Sequence, residues 1–77
     1  MRNLVEIIAK ALVTKPDEVN VTEEMDGDTI IVKLRVADDD IGKIIGKSGR
    51  IAKAIRTVVR AAAIKQNIRV SVEIIED

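Results

Sequence analysis

Residues 41–56 read IGKIIGKSGRIAKAIR, and the four in the middle, Gly46-Lys47-Ser48-Gly49, govern how the rest of the chain is read. Helical spacing runs up to them and away from them. Two glycines three residues apart predict a tight turn, because glycine accepts φ > 0 and places no Cβ in the path of an approaching ligand. The turn is expected to open onto a helix N-terminus, where unpaired N–H groups and the positive end of the helix dipole favour an anion. A short helix over about 41–45 leads in, and a longer one over about 50–65 leads away. On the longer one Ile51, Ile55, Val58, Val59 and Ala62 gather on one side, with Lys53, Arg56 and Arg60 opposite.

Outward from this centre the pattern changes period. Ile30, Val32, Leu34 and Val36 alternate with Lys33 and Arg35, which predicts a one-sided strand over 29–36. Asp26-Gly27 ahead of it marks a hairpin turn, and Val19 and Val21 alternate through a preceding strand over 18–23. Ile68, Val70, Val72 and Ile74 alternate again, for a last strand over 68–74. At the start, Leu4, Ile8, Ala11 and Leu12 recur at helical period over 4–14. Asn3 and Glu6 stand in capping-box spacing, and Pro16 stops the run.

The order is therefore α-β-β-α-α-β in one domain spanning residues 1–77. The first two strands form an antiparallel hairpin. The second and third, joined through helices, become parallel neighbours by a right-handed crossover. The expected result is an α+β fold, a three-stranded mixed sheet with three helices packed on one face.

Composition narrows the function. The 77 residues include no cysteine, histidine or aromatic residue. A thiolate metal site, the commonest general base and every ring on which a base could stack are thereby excluded. No cofactor, metal or small-molecule substrate is expected, nor a membrane span, and the N-terminus has no signal-peptide pattern, which points to the cytoplasm. A chain of this size buries only roughly 60–65% of its unfolded surface, so modest stability is expected. Formal net charge is zero, but the distribution is lopsided. Residues 1–40 carry ten of the thirteen acids and five cations. From Ile41 to Val72 there are eight cations (Lys43, Lys47, Arg50, Lys53, Arg56, Arg60, Lys65, Arg69) and no acid. That is the electrostatic footprint of a polyanion partner.

Rival readings of the central motif are weaker. Gly46-Lys47-Ser48 ends like a Walker P-loop, yet only three residues separate Gly42 from Gly46 where four are needed, and no strand leads directly in. Asp38-Asp39-Asp40 reads as an N-cap within a solvated charge run; divalent-metal binding would need oxygen ligands the neighbourhood lacks. Gly42 either lets the short helix pack tightly or leaves open surface for a sugar or base. Ile41, Ile44, Ile45 and Ile51 exceed what a short helix needs to bury, so one or two could floor a base-binding surface. Lys43, Arg50 and Lys53 lie within about a turn of the glycines and are candidate phosphate ligands. Arg56 and Arg60 lie further along, where a basic stripe also serves as a solvated face.

Ile44, Ile45, Gly46, Lys47, Ser48 and Gly49, with the element order around them, resemble the KH domain, a single-stranded nucleic-acid binder whose glycine loop clamps the backbone. The family's isoleucine after the loop falls one place earlier here, at Ile51, with Ala52 in its position. The extra N-terminal helix and strand make the chain resemble the type II, prokaryotic form. RIAKAIRTVVRAAA downstream is similar to the small bacterial single-KH proteins of the KhpA kind. The resemblance implies a cytoplasmic RNA-binding regulator or RNA chaperone, a homodimer or a heterodimer with a larger KH-containing protein. Its ligand would be single-stranded RNA, with single-stranded DNA an alternative. Its RNA-binding residues would be Gly42, Lys43, Ile45, Gly46, Lys47, Ser48, Gly49 and Arg50, to which position adds Lys53. The competing reading is an interaction module, in which Ala61-Ala62-Ala63-Ile64 packs a partner rather than the chain's own sheet.

Overall fold

The computed structural model describes residues 1–75, apart from the side chains of Lys47 and Ser48. Helix α1 (Arg2–Leu12) is followed by a 3₁₀ turn (Pro16–Glu18), strands β1 (Asn20–Asp26) and β2 (Thr29–Arg35), a long helical run α2 (Asp38–Gln66) and strand β3 (Arg69–Ile74). The sheet order is β1-β2-β3, antiparallel for the first pair and parallel for the second. Val21 stands opposite Leu34, and Val32 opposite Val72. All four are buried on the face that the helices cover.

The hairpin turn centres on Gly27-Asp28, with Asp26 paired to Thr29 and Gly27 at φ +63°, the pattern of a type II′ turn. The first strand begins later and runs further than expected, because Pro16 and its two acidic followers wind into the 3₁₀ turn. At the other end of the sheet, Asn67 takes a left-handed conformation (φ 56°). It lets Ile68 N–H donate to Ala63 O at 3.0 Å and Asn67 N–H to Ile64 O at 3.1 Å. This Schellman closure ends α2 and drops the chain directly into β3.

The helical run from Asp38 to Gln66 is not straight. Twenty-nine helical residues would extend about 43 Å, against a longest dimension of 34 Å for the whole molecule. The bend is at Gly49, whose φ of +67° no other residue of the run shares. Gly49 divides α2 into an N-terminal arm, residues 38–48, and a C-terminal arm, residues 50–66. With α1 these make the three helices of the fold. The expected four-residue turn is thus compressed: Gly46 keeps a helical φ, and one left-handed residue redirects the chain.

Burial corrects two helical faces. In α1 the fully buried residues are Val5 and Ala9, while Leu12 is half exposed and Ala11 exposed. In the C-terminal arm Ala52, Ile55, Val59 and Ala63 face the core, and Val58 lies outside it. The caps differ as well. α1 has no side-chain cap from Asn3; Glu23 of β1 instead accepts from Arg2 N–H at 2.9 Å. Glu6 pairs with Arg2 and Lys10 one turn to either side.

The three aspartates do not cap α2, whose N-cap residue is Ala37. Asp39 pairs with Lys15 at 2.6 Å. Asp40 is almost wholly buried and accepts from Thr14 N–H at 2.9 Å, Thr14 Oγ1 at 2.8 Å and Lys15 N–H at 3.1 Å. These donors hold its carboxyl below the ordinary carboxylate value, the Thr14 amide contributing most.

Candidate nucleic-acid interface

The bend at Gly49 sets the two arms of α2 around a groove of about 500 Å³ lined by Gly42, Lys43, Gly46, Arg50 and Ile51. Its floor is mostly apolar and its rim cationic. Each lining residue has a helical reason to be there. Ile44 is fully buried and fixes the N-terminal arm on the core, which turns Gly42, Lys43 and Gly46 outward. On the second arm Ala52 and Ile55 are buried, which leaves Arg50 and Ile51 beside the groove.

A Cβ built on Gly42 or Gly46 would meet nothing within 4 Å. Tight packing inside the chain therefore does not explain these glycines, and of the two readings of Gly42 the open surface is the one that fits. The space above them is free for a ligand's backbone. Gly49 also has open space around it but sits at positive φ. Gly49→Ala should therefore cost stability through conformation alone, about 1–2 kcal/mol. Urea unfolding checks this as a lower midpoint with an unchanged m-value.

Charge pairing is divided sharply along the chain. Arg2, Lys10, Lys15, Lys33 and Arg69 all stand within ion-pair distance of a carboxylate. Among the described residues, none of Lys43, Arg50, Lys53, Arg56, Arg60 and Lys65 is in an ion pair. Lys15, by contrast, is held above its ordinary value by its hydrogen bond to Asp39. Among the described residues, the cations from Lys43 to Lys65 are thus outside any ion pair, whereas Arg69, at the far end of the basic stretch, pairs with Asp28.

Of the sequence-predicted site residues, the groove unites Gly42, Lys43, Gly46 and Arg50, with Gly49 as its bend. Ile45 and Lys53 are exposed but do not line it. The side chains of Lys47 and Ser48 lie outside the described part of the structure. Of the four isoleucines, Ile44 is core, Ile41 is partly buried and Ile51 supplies the apolar floor. A second, smaller cleft of about 140 Å³ lies between the C-terminal arm and the unpaired edge of β3, lined by Arg56, Val59, Arg60, Val70, Ser71 and Val72. Only the fold brings that strand edge to the basic stripe. Among the described residues no cluster of three or more His, Cys, Asp or Glu is placed to hold a metal ion. None of the described helices is long and apolar enough to cross a membrane.

A family model described as "KhpA/KhpB, KH domain" matches residues 2–74. "RNA-binding protein KhpA" of Clostridium perfringens is 63% identical over 75 residues, 97% of this chain and 100% of that one. The protein of the same name from Caldanaerobacter subterraneus subsp. tengcongensis is 59% identical over the same shares. That of Chlamydia caviae is 49% identical over 77 residues, 100% of this chain and 99% of its own. No solved structure matches the chain. With its α-β-β-α-α-β order, mixed sheet and Gly46-Lys47-Ser48-Gly49 motif, the chain belongs to the KhpA/KhpB family of KH-domain proteins.

Proposed function

We propose that this chain is a non-enzymatic, single-stranded RNA-binding protein that holds the RNA backbone at Gly46–Gly49. Gly42, Lys43, Ile45, Lys47, Ser48, Arg50 and Lys53 flank the strand. In the cell it acts in the cytoplasm as a post-transcriptional regulator or RNA chaperone. The observation that supports this most is a groove floored by Ile51 and glycine backbone and rimmed by Lys43 and Arg50, neither of which is in an ion pair among the described residues. The full-length relatives named as RNA-binding proteins support the choice of RNA as the polyanion.

The strand runs from the glycine bend along the C-terminal arm. Lys53, Arg56 and Arg60 track its phosphates, and the cleft beside β3 receives bases at the strand's unpaired edge. Lacking aromatic rings, the protein gains none of the roughly 1–3 kcal/mol per base that stacking on a ring supplies. Affinity therefore rests on phosphate contacts and is moderate for one copy. A second KH chain, of its own kind or larger, would add to it through linkage of two sites. Ala61 and Ile64, exposed at the end of the arm, are the surface for such pairing, and Ile64 is 73% exposed.

Salt dependence tests the reading directly. Three or four neutralised phosphates give a slope of log K against log salt of about −2 to −3 for a single strand. Fluorescence anisotropy with a labelled oligoribonucleotide should then show a roughly 15- to 60-fold loss of affinity between 50 and 200 mM salt. A slope near zero would contradict phosphate-led binding.

A further inference from the structure

We propose that Asp40 is a positioning residue for the RNA-binding groove: its buried carboxylate ties the end of α1 to the first turn of α2 and so fixes the arm that carries Gly42, Lys43 and Gly46. The inference rests on the RNA-binding reading above and adds to it a residue that touches no RNA.

The N-terminal arm is short and has few anchors. Ile44 is its one fully buried aliphatic side chain, and Ile41 is only partly buried. One helical turn before Ile44, on the same face, the next inward slot is filled by Asp40 at 1% exposure. A carboxylate in a core slot is costly unless its oxygens are satisfied. Here one oxygen accepts two hydrogen bonds from Thr14 and the other accepts from the Lys15 amide. The same bonds satisfy the N–H groups of Thr14 and Lys15, which lie past the end of α1, beyond the closing bond from Val13 N–H to Ala9 O. Two elements 25 and 26 residues apart in sequence are therefore pinned at a single side chain. Lys43, one turn further along, projects into the groove from the same short helix.

Electrostatics alone points the opposite way, which makes the inference testable. Asp40 is a negative charge close enough to Lys43 to influence titration. Removing it should strengthen phosphate binding if charge is all it contributes. If Asp40 positions the arm, Asp40→Asn weakens binding despite the gain of one positive unit. Asparagine keeps an acceptor for Thr14 but turns an amide donor toward the Lys15 N–H. An arm correctly placed only about one-fifth of the time raises the apparent Kd about fivefold.

Three variants are compared by anisotropy with the same oligoribonucleotide, at a temperature where circular dichroism shows each fully folded. Asp40→Asn should weaken binding about fivefold with an unchanged salt slope, and Thr14→Val, which removes one bond and no charge, should weaken it about twofold. Val21→Ala, a core truncation on β1 away from the groove, lowers Tm and leaves affinity unmoved. Hydrogen exchange should quicken at residues 41–46 in Asp40→Asn and stay unchanged in the C-terminal arm. Folded Asp40→Asn binding as tightly as wild type, or more tightly, overturns the proposal. If Asp40→Asn does not fold, Thr14→Val decides in its place, and unaltered affinity there overturns it equally. Wild type that fails to bind the oligonucleotide refutes the RNA reading itself, and the exchange pattern then still reports whether Asp40 holds the arm.

Discussion

Replacing Lys47 and Ser48 together by aspartate should raise the Kd for single-stranded RNA by about 100-fold. They stand between Gly46, which lines the groove, and Gly49, which bends the helical run. The substitution removes one positive charge and adds two negative ones. Each unit opposite a phosphate at about 4 Å is worth on the order of 1 kcal/mol in a water-like medium. Three units come to about 3 kcal/mol, or roughly two powers of ten in affinity. The fold itself should tolerate the change, since both residues are polar and adjoin the bend at Gly49. Thermal denaturation should give a Tm within a few degrees of wild type, and electrophoretic mobility shift should show no complex at concentrations that saturate wild type. A folded double variant that still binds at wild-type affinity would place the RNA elsewhere.

How much of this site was visible in the sequence depends on the distance over which each contact acts. The strands were legible because alternation of Ile30, Val32, Leu34 with Lys33 and Arg35 is a local pattern with a period of two. The glycine motif and its basic flanks were legible for the same reason. What stayed hidden were the side-chain contacts whose partners lie far along the chain. Asn3 and Glu6 have capping-box spacing, yet the carboxylate that reaches the start of α1 is Glu23, twenty-one residues away from Arg2. Asp40 sits in a run of three aspartates that reads as solvated charge, and only folding delivers Thr14 and Lys15 to it.

The site follows the same division. Four isoleucines were possible floors for the groove, and periodicity could not choose between them. Burial removes Ile44 from the candidates, and among the described residues the isoleucine that lines the groove is Ile51, which sits past the bend and not before it. Arg56 and Arg60 come to line a cleft only when β3 returns alongside them. Even the bend was half legible: two glycines predicted a break, whereas the chain needs one left-handed residue to make it. A sequence signals where the backbone is free to turn, and the packing on either side determines how much turning occurs.

Ile44→Ala should be the most destabilising single substitution near the site and should also impair RNA binding out of proportion to unfolding. Ile44 is completely buried, and truncating such a residue costs about 2–5 kcal/mol through lost transfer energy and the cavity left behind. At roughly 0.05–0.15 kcal/mol per residue, a domain of this length holds about 4–12 kcal/mol in total. A loss near 3 kcal/mol lowers Tm by roughly 12–24 °C in a domain of this size and still leaves most molecules folded at low temperature. Leu34→Ala in β2, equally buried, removes a similar amount. The two differ in what they hold. Leu34 supports the sheet, whereas Ile44 is the aliphatic anchor of the short arm that presents Gly42, Lys43 and Gly46. Measured at 10 °C, with unfolded fraction corrected from urea curves, Leu34→Ala should bind RNA as wild type does. Ile44→Ala should bind several-fold more weakly, because its arm must be ordered again on binding. Ile44→Val, costing about 0.5–1.5 kcal/mol of stability, should stay folded at 10 °C and keep its affinity to within about threefold. Equal losses of affinity in the two alanine variants would mean that the arm has no independent freedom, and that the groove is held by the whole core and not by its local anchors.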